Sequence, residues 1–257
     1  MKRLSLGVIL VLALVFAASP LLAGMVIEAK NEDGKRFLWA CEGGLFRIGT
    51  EEAYTIIDTD KQMTYTVIPE KKIYYASSAE ENRERLKAMQ EQMKKMQQAL
   101  GAMGKKFGKL FGGDQAPAPE EKPVKHTYKK TGKKARIAGY DAEQVVVYEN
   151  GRPVSEIWVS PKLAKDLNRS CDLRKLSQMT EASLPEEWKQ PEQAVSVMEM
   201  KEFQELGYPL KEVSYDGEFR QEVTKVEKKS LPKSFFSVPE GYKQVSYPSP
   251  QGGMRPW

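Results

Sequence analysis

The chain has 257 residues, 29% of them charged and 40% hydrophobic, with 40 Lys and Arg against 35 Asp and Glu and one histidine. A formal net charge of +5 is too mild to single out nucleic acid as a partner, and one histidine with two distant cysteines cannot supply the usual His/Cys zinc set. The length allows one sizeable core, or one core with an appendage.

The chain opens with "MKRLSLGVILVLALVFAASPLLAG", which has the three parts of a secretory signal. Lys2 and Arg3 give the positive start, Leu4 to Ala18 the apolar core, and Pro20 breaks the helix before small residues. Residues 1–23 therefore read as a signal peptide cut after Ala23, and the expected location is the periplasm. An uncleaved anchor is the competing reading, because no charge falls between Arg3 and Glu28. Against it, the apolar core is shorter than the ~20 residues of a membrane span, and Pro20 interrupts it. No cysteine precedes Cys41, so a lipid-modified N-terminus is not expected. Without residues 1–23 the count is 38 basic (40 minus Lys2 and Arg3) against 35 acidic, a net +3. In an oxidising compartment Cys41 and Cys171 can form one disulfide. Two isolated buried thiols are the alternative.

From Met25 to Ser77 short runs rich in β-branched and aromatic residues alternate with "EDGK", "GG", "DTDKQ" and "PEKK", which predicts an antiparallel meander. In "MTYTVIP", Met63, Tyr65 and Val67 point one way and Thr64 and Thr66 the other, so one face is expected buried and one wetted. Ser78 with Glu81 makes a capping box and opens a helix predicted to run from Ala79 to about Leu110. Early glutamates and late lysines match the helix dipole. Residues 79–111 are thus an inserted Met-rich amphipathic helix, and 112–123, with Pro117, Pro119 and Pro123, a linker.

Strands are predicted to return as "KHTYKKTG", "KARIAGYDAEQVVVYE" and "RPVSEIWVS", the last two joined at Asn150-Gly151, a strong hairpin signal. "PKLAKDLNRSCDLRKLSQM" and "PEQAVSVMEMKEFQELG" read as helical, ending at Gly207. A last hairpin turns at Asp216-Gly217, "SFFSVPEGYKQV" is expected to pack in extended form, and 246–257 is a loose tail. The expected fold is α+β: a large antiparallel sheet of about eleven strands, from 24–78 and 124–245, with helices set apart from it.

Three stretches carry a resemblance. "KKTGKKARIAGYDAEQVVVYENGRPVSEIWVS" (129–160), "IIDTDKQMTYTVIPEKKIYY" (56–75) and "GYPLKEV" with "EVTKVEKKSLPKSFFSVPEGYK" (207–213 and 222–243) resemble an exported bacterial family known only as a domain of unknown function. That family in turn is similar to the LolA/LolB lipoprotein carriers. The resemblance implies an unclosed half-barrel with helices over an apolar concave face, and a periplasmic protein sheltering an acyl chain or apolar peptide. The shared motifs are turn glycines and strand aromatics, so no site residue is carried over.

No nucleophile elbow, phosphate loop or dinucleotide fingerprint is present. The lone His126 sits at the end of the linker and reads as incidental. The expectation is a non-enzymatic protein with no cofactor and no metal. Candidate ligand-lining residues are Trp39, Tyr65, Val67, Tyr75 and Trp158; ordinary core is the plainer reading, since aromatics dominate any core. On the inserted helix, Leu86, Met89, Met93, Met96, Leu100, Met103, Phe107 and Leu110 recur at alternating spacings of three and four. Four of these eight are Met, and their flanks include Gln90, Gln92, Gln97, Ala99 and Gly104 rather than paired charges, which specifies a dimeric coiled coil poorly. Met89, Met93, Met96, Met103 and Phe107 are candidates for an adaptable surface. It could dock on the protein's own sheet, a membrane surface or another envelope protein. Two functions follow: binding of a lipid, acyl chain or other apolar ligand in the half-barrel, or an envelope interaction protein that works through the Met-rich helix.

Overall fold

The computed structural model describes residues 24–111, 126–185, 205–217 and 220–247, and of residues 97–111 the backbone alone. The predicted signal, the linker, most of the second predicted helical stretch and the end of the tail lie outside these residues.

Six strands form the first meander: β1 (Gly24–Asn31), β2 (Arg36–Glu42), β3 (Leu45–Gly49), β4 (Tyr54–Asp58), β5 (Met63–Ile68) and β6 (Ile73–Ser78). A second runs through β7 (His126–Ile137), β8 (Tyr140–Glu149), β9 (Arg152–Ser160), β10 (Tyr208–Ser214) and β11 (Arg220–Lys229). The two join where β1 pairs with β11, from Gly24 opposite Lys229 to Asn31 opposite Gln221. A two-residue β12 (Lys243–Gln244) lies parallel to the edge of β6. The sheet order is 12-6-5-4-3-2-1-11-10-9-8-7, so β12 and β7 stand at opposite edges and the curved sheet stays open. This is the expected half-barrel with one extra, very short strand.

Among the described residues, the helices α1 (Ala79–Phe111), α2 (Pro161–Ser170) and α3 (Leu173–Ser183) accompany it. The capping box at α1 is formed: the Ser78 amide donates to Glu81 Oε2 (2.7 Å), and the Glu81 amide to Ser78 Oγ (3.1 Å). At α2, Ser160 Oγ accepts from the Leu163 amide, and Pro161 occupies the first turn, where its missing N–H costs nothing. The stretch from Pro161 to Met179 is two helices rather than one. Cys171 is extended, and the break is fixed from outside: the Gly43 amide donates to Ser170 O (3.0 Å) and the Asp172 amide to Gly43 O (2.7 Å). Asp172 then caps α3 through the Lys175 amide (3.0 Å).

A second correction concerns β7 and β8. The sequence suggests a break near Gly132, but β7 continues past it through a register shift between Lys130 and Lys134. The turn comes at Ala138-Gly139, both with positive φ (48° and 83°), the conformation of a two-residue hairpin. Alanine rarely takes that position, so the sequence hides the turn.

A third correction concerns the wetted face. The first meander is covered on both sides. On the helix-bearing face Met25, Ile27, Ala29, Cys41, Phe46, Leu163, Leu167, Leu210 and Val223 pack with Leu176 of α3. On the other face of the first meander, Val26, Ala40, Tyr54, Ile56 and Val67 meet Leu231 and Phe236. The segment following β11 crosses there, mostly extended but with one 3-10 turn (Lys233–Phe236). Arg47 fastens it: its guanidinium lies 3.8 Å from the Tyr54 ring centre and 4.7 Å from that of Phe235, and Nη1 donates to Phe235 O (3.3 Å). Even Thr66, assigned to the wetted side of β5, has its hydroxyl 3.3 Å from that of Tyr247.

Candidate functional site

The helix-bearing face of the central strands holds a pocket of about 190 Å³. Ile27 and Ala29 of β1, Leu210 of β10 and Val223 of β11 are joined around it by Phe37 and Trp39 of β2 and by Tyr208. Two backbone irregularities lie beside it, in β1 between Glu28 and Ala29 and in β10 between Pro209 and Lys211. Such bulges bend a strand and re-aim its side chains. Ala29, small and buried, leaves room that a larger residue would fill. Trp39 meets Phe46 edge-on (6.0 Å between ring centres) and Tyr208 at a tilt (6.4 Å). Pro209, Lys211, Glu212 and Gln221 complete the lining, and Lys211 Nζ is 3.2 Å from Glu222 Oε2. The site is thus apolar at its floor and polar at one side. Gly207 lets β10 begin here: it has φ +117°, and a Cβ on it would stand 2.6 Å from Pro161 N.

The predicted site residues are dispersed. Trp39 is in the pocket wall. Trp158 packs on the same buried cluster without lining the pocket. Tyr65 and Val67 lie on the opposite face beneath the C-terminal segment. Tyr75 pairs with Thr66, and Tyr74 with Val67, so Tyr75 faces away from Val67; it stacks on Tyr247 (4.6 Å). Cys41 and Cys171 are joined in a disulfide, Cα to Cα 5.7 Å. On α1, Met89 is half-buried and Met93 and Met96 are exposed; the side chains of Met103 and Phe107 lie outside the described ones. His126 starts β7, its Nε2 3.0 Å from Glu149 Oε1. Sequence reasoning missed Tyr208, Phe37, Ala29, Leu210 and Val223, because the pairing of β1 with β11 joins segments about 200 residues apart and leaves no local signal.

A second, more polar groove of about 540 Å³ lies between the end of β6, the start of α1 and the C-terminal segment, lined by residues that include Ser77, Glu81, Arg85 and Tyr247. The Arg85 guanidinium sits 3.6 Å from the centre of the Tyr247 ring. Burial pushes the Tyr247 hydroxyl up, but hydrogen bonds with Thr66, Arg85 and Ser77 outweigh it and hold it below the ordinary tyrosine value.

Two other tyrosines move the opposite way. Burial alone pushes Tyr208 up to about 12. Burial first, then the hydrogen bond to Asp166 and its charge, push Tyr140 up to about 12. A pKa raised in the folded state contributes stability that is complete below the unfolded value of about 10 and is lost as pH rises through about 12. Ultraviolet titration of tyrosinate should therefore show late-ionising groups, reduced by one in Tyr208→Phe, with alkaline unfolding setting in above pH ~10. Full ionisation by pH 11 in a folded chain would contradict this.

Among the described residues no group of three or more His, Cys, Asp or Glu could hold a metal ion, and no helix is long and apolar enough to cross a membrane.

A solved structure of an uncharacterized conserved protein from Thermus thermophilus is similar to this chain with 9% sequence identity and a TM-score of 0.40, covering 88% of this chain and 92% of that one. No curated protein matches the chain in sequence. The model of the domain of unknown function DUF4412 matches residues 113–242, a span that takes in β7 to β11, α2, α3 and the 3-10 turn. This match covers half of the sequence, and the chain belongs to the DUF4412 family.

Proposed function

We propose that this protein is a non-enzymatic binding protein of the cell envelope, which takes a lipid, acyl chain or other apolar ligand into the half-barrel. The observation that carries the reading is the pocket between β2, β1, β11 and β10, apolar at its floor with Lys211, Glu212 and Gln221 at its side. Apolar lining with a few polar groups is the usual composition of a small-molecule site. At about 190 Å³ it is below the ~300–1,000 Å³ of sites that enclose drug-sized molecules, so it suits one chain end rather than a whole lipid. The resemblance to the LolA/LolB carriers supports the same ligand class, and the signal-like N-terminus supports export.

An undecanoyl chain with a dansyl group attached through its carboxyl end, leaving the methyl end free, tests the proposal. The fluorophore should brighten on binding, and Ala29→Phe, which fills the floor, should weaken binding by tenfold or more, about 1.4 kcal/mol. Overpacking costs on the order of 1–3 kcal/mol of stability, so the variant should remain folded by circular dichroism. Brightening that is absent, or unchanged in Ala29→Phe, would remove the pocket from consideration.

A further inference from the structure

Helix α1 extends beyond its support. It has 33 residues, about 50 Å at ~1.5 Å per residue. Its first turns are held against α3 and β6: Ala79 is buried, Arg85 covers Tyr247, and Leu86 and Met89 are half-buried. From Glu91 to Met96 every side chain is exposed. Met93 and Met96, 45% and 58% exposed, are two of the three large apolar residues left in solvent among the described ones. The charge changes at the same point. Glu91 is the last acidic residue of α1, and residues 92–111 contain Lys94, Lys95, Lys105, Lys106 and Lys109 with no Asp or Glu. In the sequence the apolar register continues through Leu100, Met103 and Phe107.

We propose that residues 92–111 of α1 dock on an anionic phospholipid surface, with Met93 and Met96 entering the acyl boundary and Lys94 and Lys95 meeting the phosphates. An apolar stripe flanked by lysines is the composition of helices that lie in the membrane interface, and a negative leaflet attracts each nearby lysine. A second copy of residues 92–111 is a poor occupant: this segment has five lysines and no carboxylate, and the glutamates of α1, Glu80, Glu81, Glu84 and Glu91, precede it, in the part whose first turns are held against α3 and β6. The inference is independent of the pocket and survives or fails without it.

The test is co-sedimentation of the exported full chain with vesicles. Equal parts of phosphatidylglycerol and phosphatidylcholine should bind it at least tenfold more tightly than phosphatidylcholine alone, and 0.5 M salt should release it. Lys94→Gln with Lys95→Gln should weaken binding roughly 30-fold, at about a unit of lysine attraction each. Met93→Glu with Met96→Glu should abolish it, while both double variants keep the wild-type circular dichroism and melting temperature. No binding to the anionic vesicles, equal binding to both compositions, or binding indifferent to the methionine variants would overturn the proposal. So would a methionine variant that converts a dimer to a monomer in light scattering, since the stripe would then belong to a second copy.

Discussion

Breaking the Cys41–Cys171 bond should cost about 5 kcal/mol of stability, the value the chain-entropy model gives for a loop of this size. The two cysteines are 130 residues apart in sequence, and the loop they close contains β3 to β9 with α1 and α2. Both are buried, one in β2 and the other at the break between α2 and α3. The bond therefore holds the helix pair of the second half onto the first meander, beside the backbone bonds of Gly43 with Ser170 and Asp172. For a chain of this size each kcal/mol moves the melting temperature by about 2–4 °C, so Cys41→Ala with Cys171→Ala should lower it by roughly 10–20 °C. Alanine is the right replacement because a serine hydroxyl would be left unpaired at a buried position. In the native protein neither sulfur should react with an alkylating agent after mild reductant, since both are inaccessible. A melting temperature unchanged in the double variant would show that β1 with β11 and the Gly43 contacts hold the halves together unaided.

Removing the carboxylate of Asp166 should be the next most damaging change, at about 2–3 kcal/mol. The side chain projects from α2, is 9% exposed, and takes a hydrogen bond from the Tyr140 hydroxyl (3.1 Å) and an ion pair from Lys228 (2.8 Å). It ties the helix to β8 and β11, on either side of β9 and β10. Losing one partner of a fully buried pair costs about 3–5 kcal/mol; Lys228 is 47% exposed, and its screening places this case lower. Asp166→Asn keeps an acceptor for Tyr140 and loses only the charge, so it should cost less than Asp166→Ala. Burial pushes the Asp166 carboxyl up, but the Lys228 and Tyr140 hydrogen bonds, followed by the charges of Lys228 and Lys162, outweigh it and hold it below the ordinary value. A depressed carboxylate contributes stability that is present above its unfolded pKa of ~3.9 and lost as pH falls through the folded one. The difference in urea stability between wild type and Asp166→Asn should hold steady above pH ~5 and narrow below pH ~4. A gap that stays constant to pH 3 would mean the charge plays no part.

Much of the fold is encoded locally. Alternation in "MTYTVIP", the glycines and aspartates of the turns, Ser78 with Glu81, and Asn150-Gly151 act over two to four residues. Their signals therefore survive in the sequence, and the sheet, every hairpin named here except that at Ala138-Gly139, and the start of α1 could be read from it. Signals that depend on a distant partner do not survive in this way. A strand's period of two says that Tyr65 and Val67 share a face, but which face is decided by the C-terminal segment that covers them. The break at Cys171 comes from Gly43, more than 120 residues earlier. The pocket exists because β1 pairs with β11, and Ala29, Leu210 and Val223 become a floor only when that seam closes. Asp166 looks like any surface carboxylate in a polar helix until β8 and β11 bring Tyr140 and Lys228 to it. For α1 the sequence supplied an apolar stripe and a run of lysines, whereas its packing on α3 and β6 determined that the stripe is covered as far as Met89 and open from Met93. Local periodicity fixes which side chains share a face; only the tertiary pairing of distant segments fixes what that face meets.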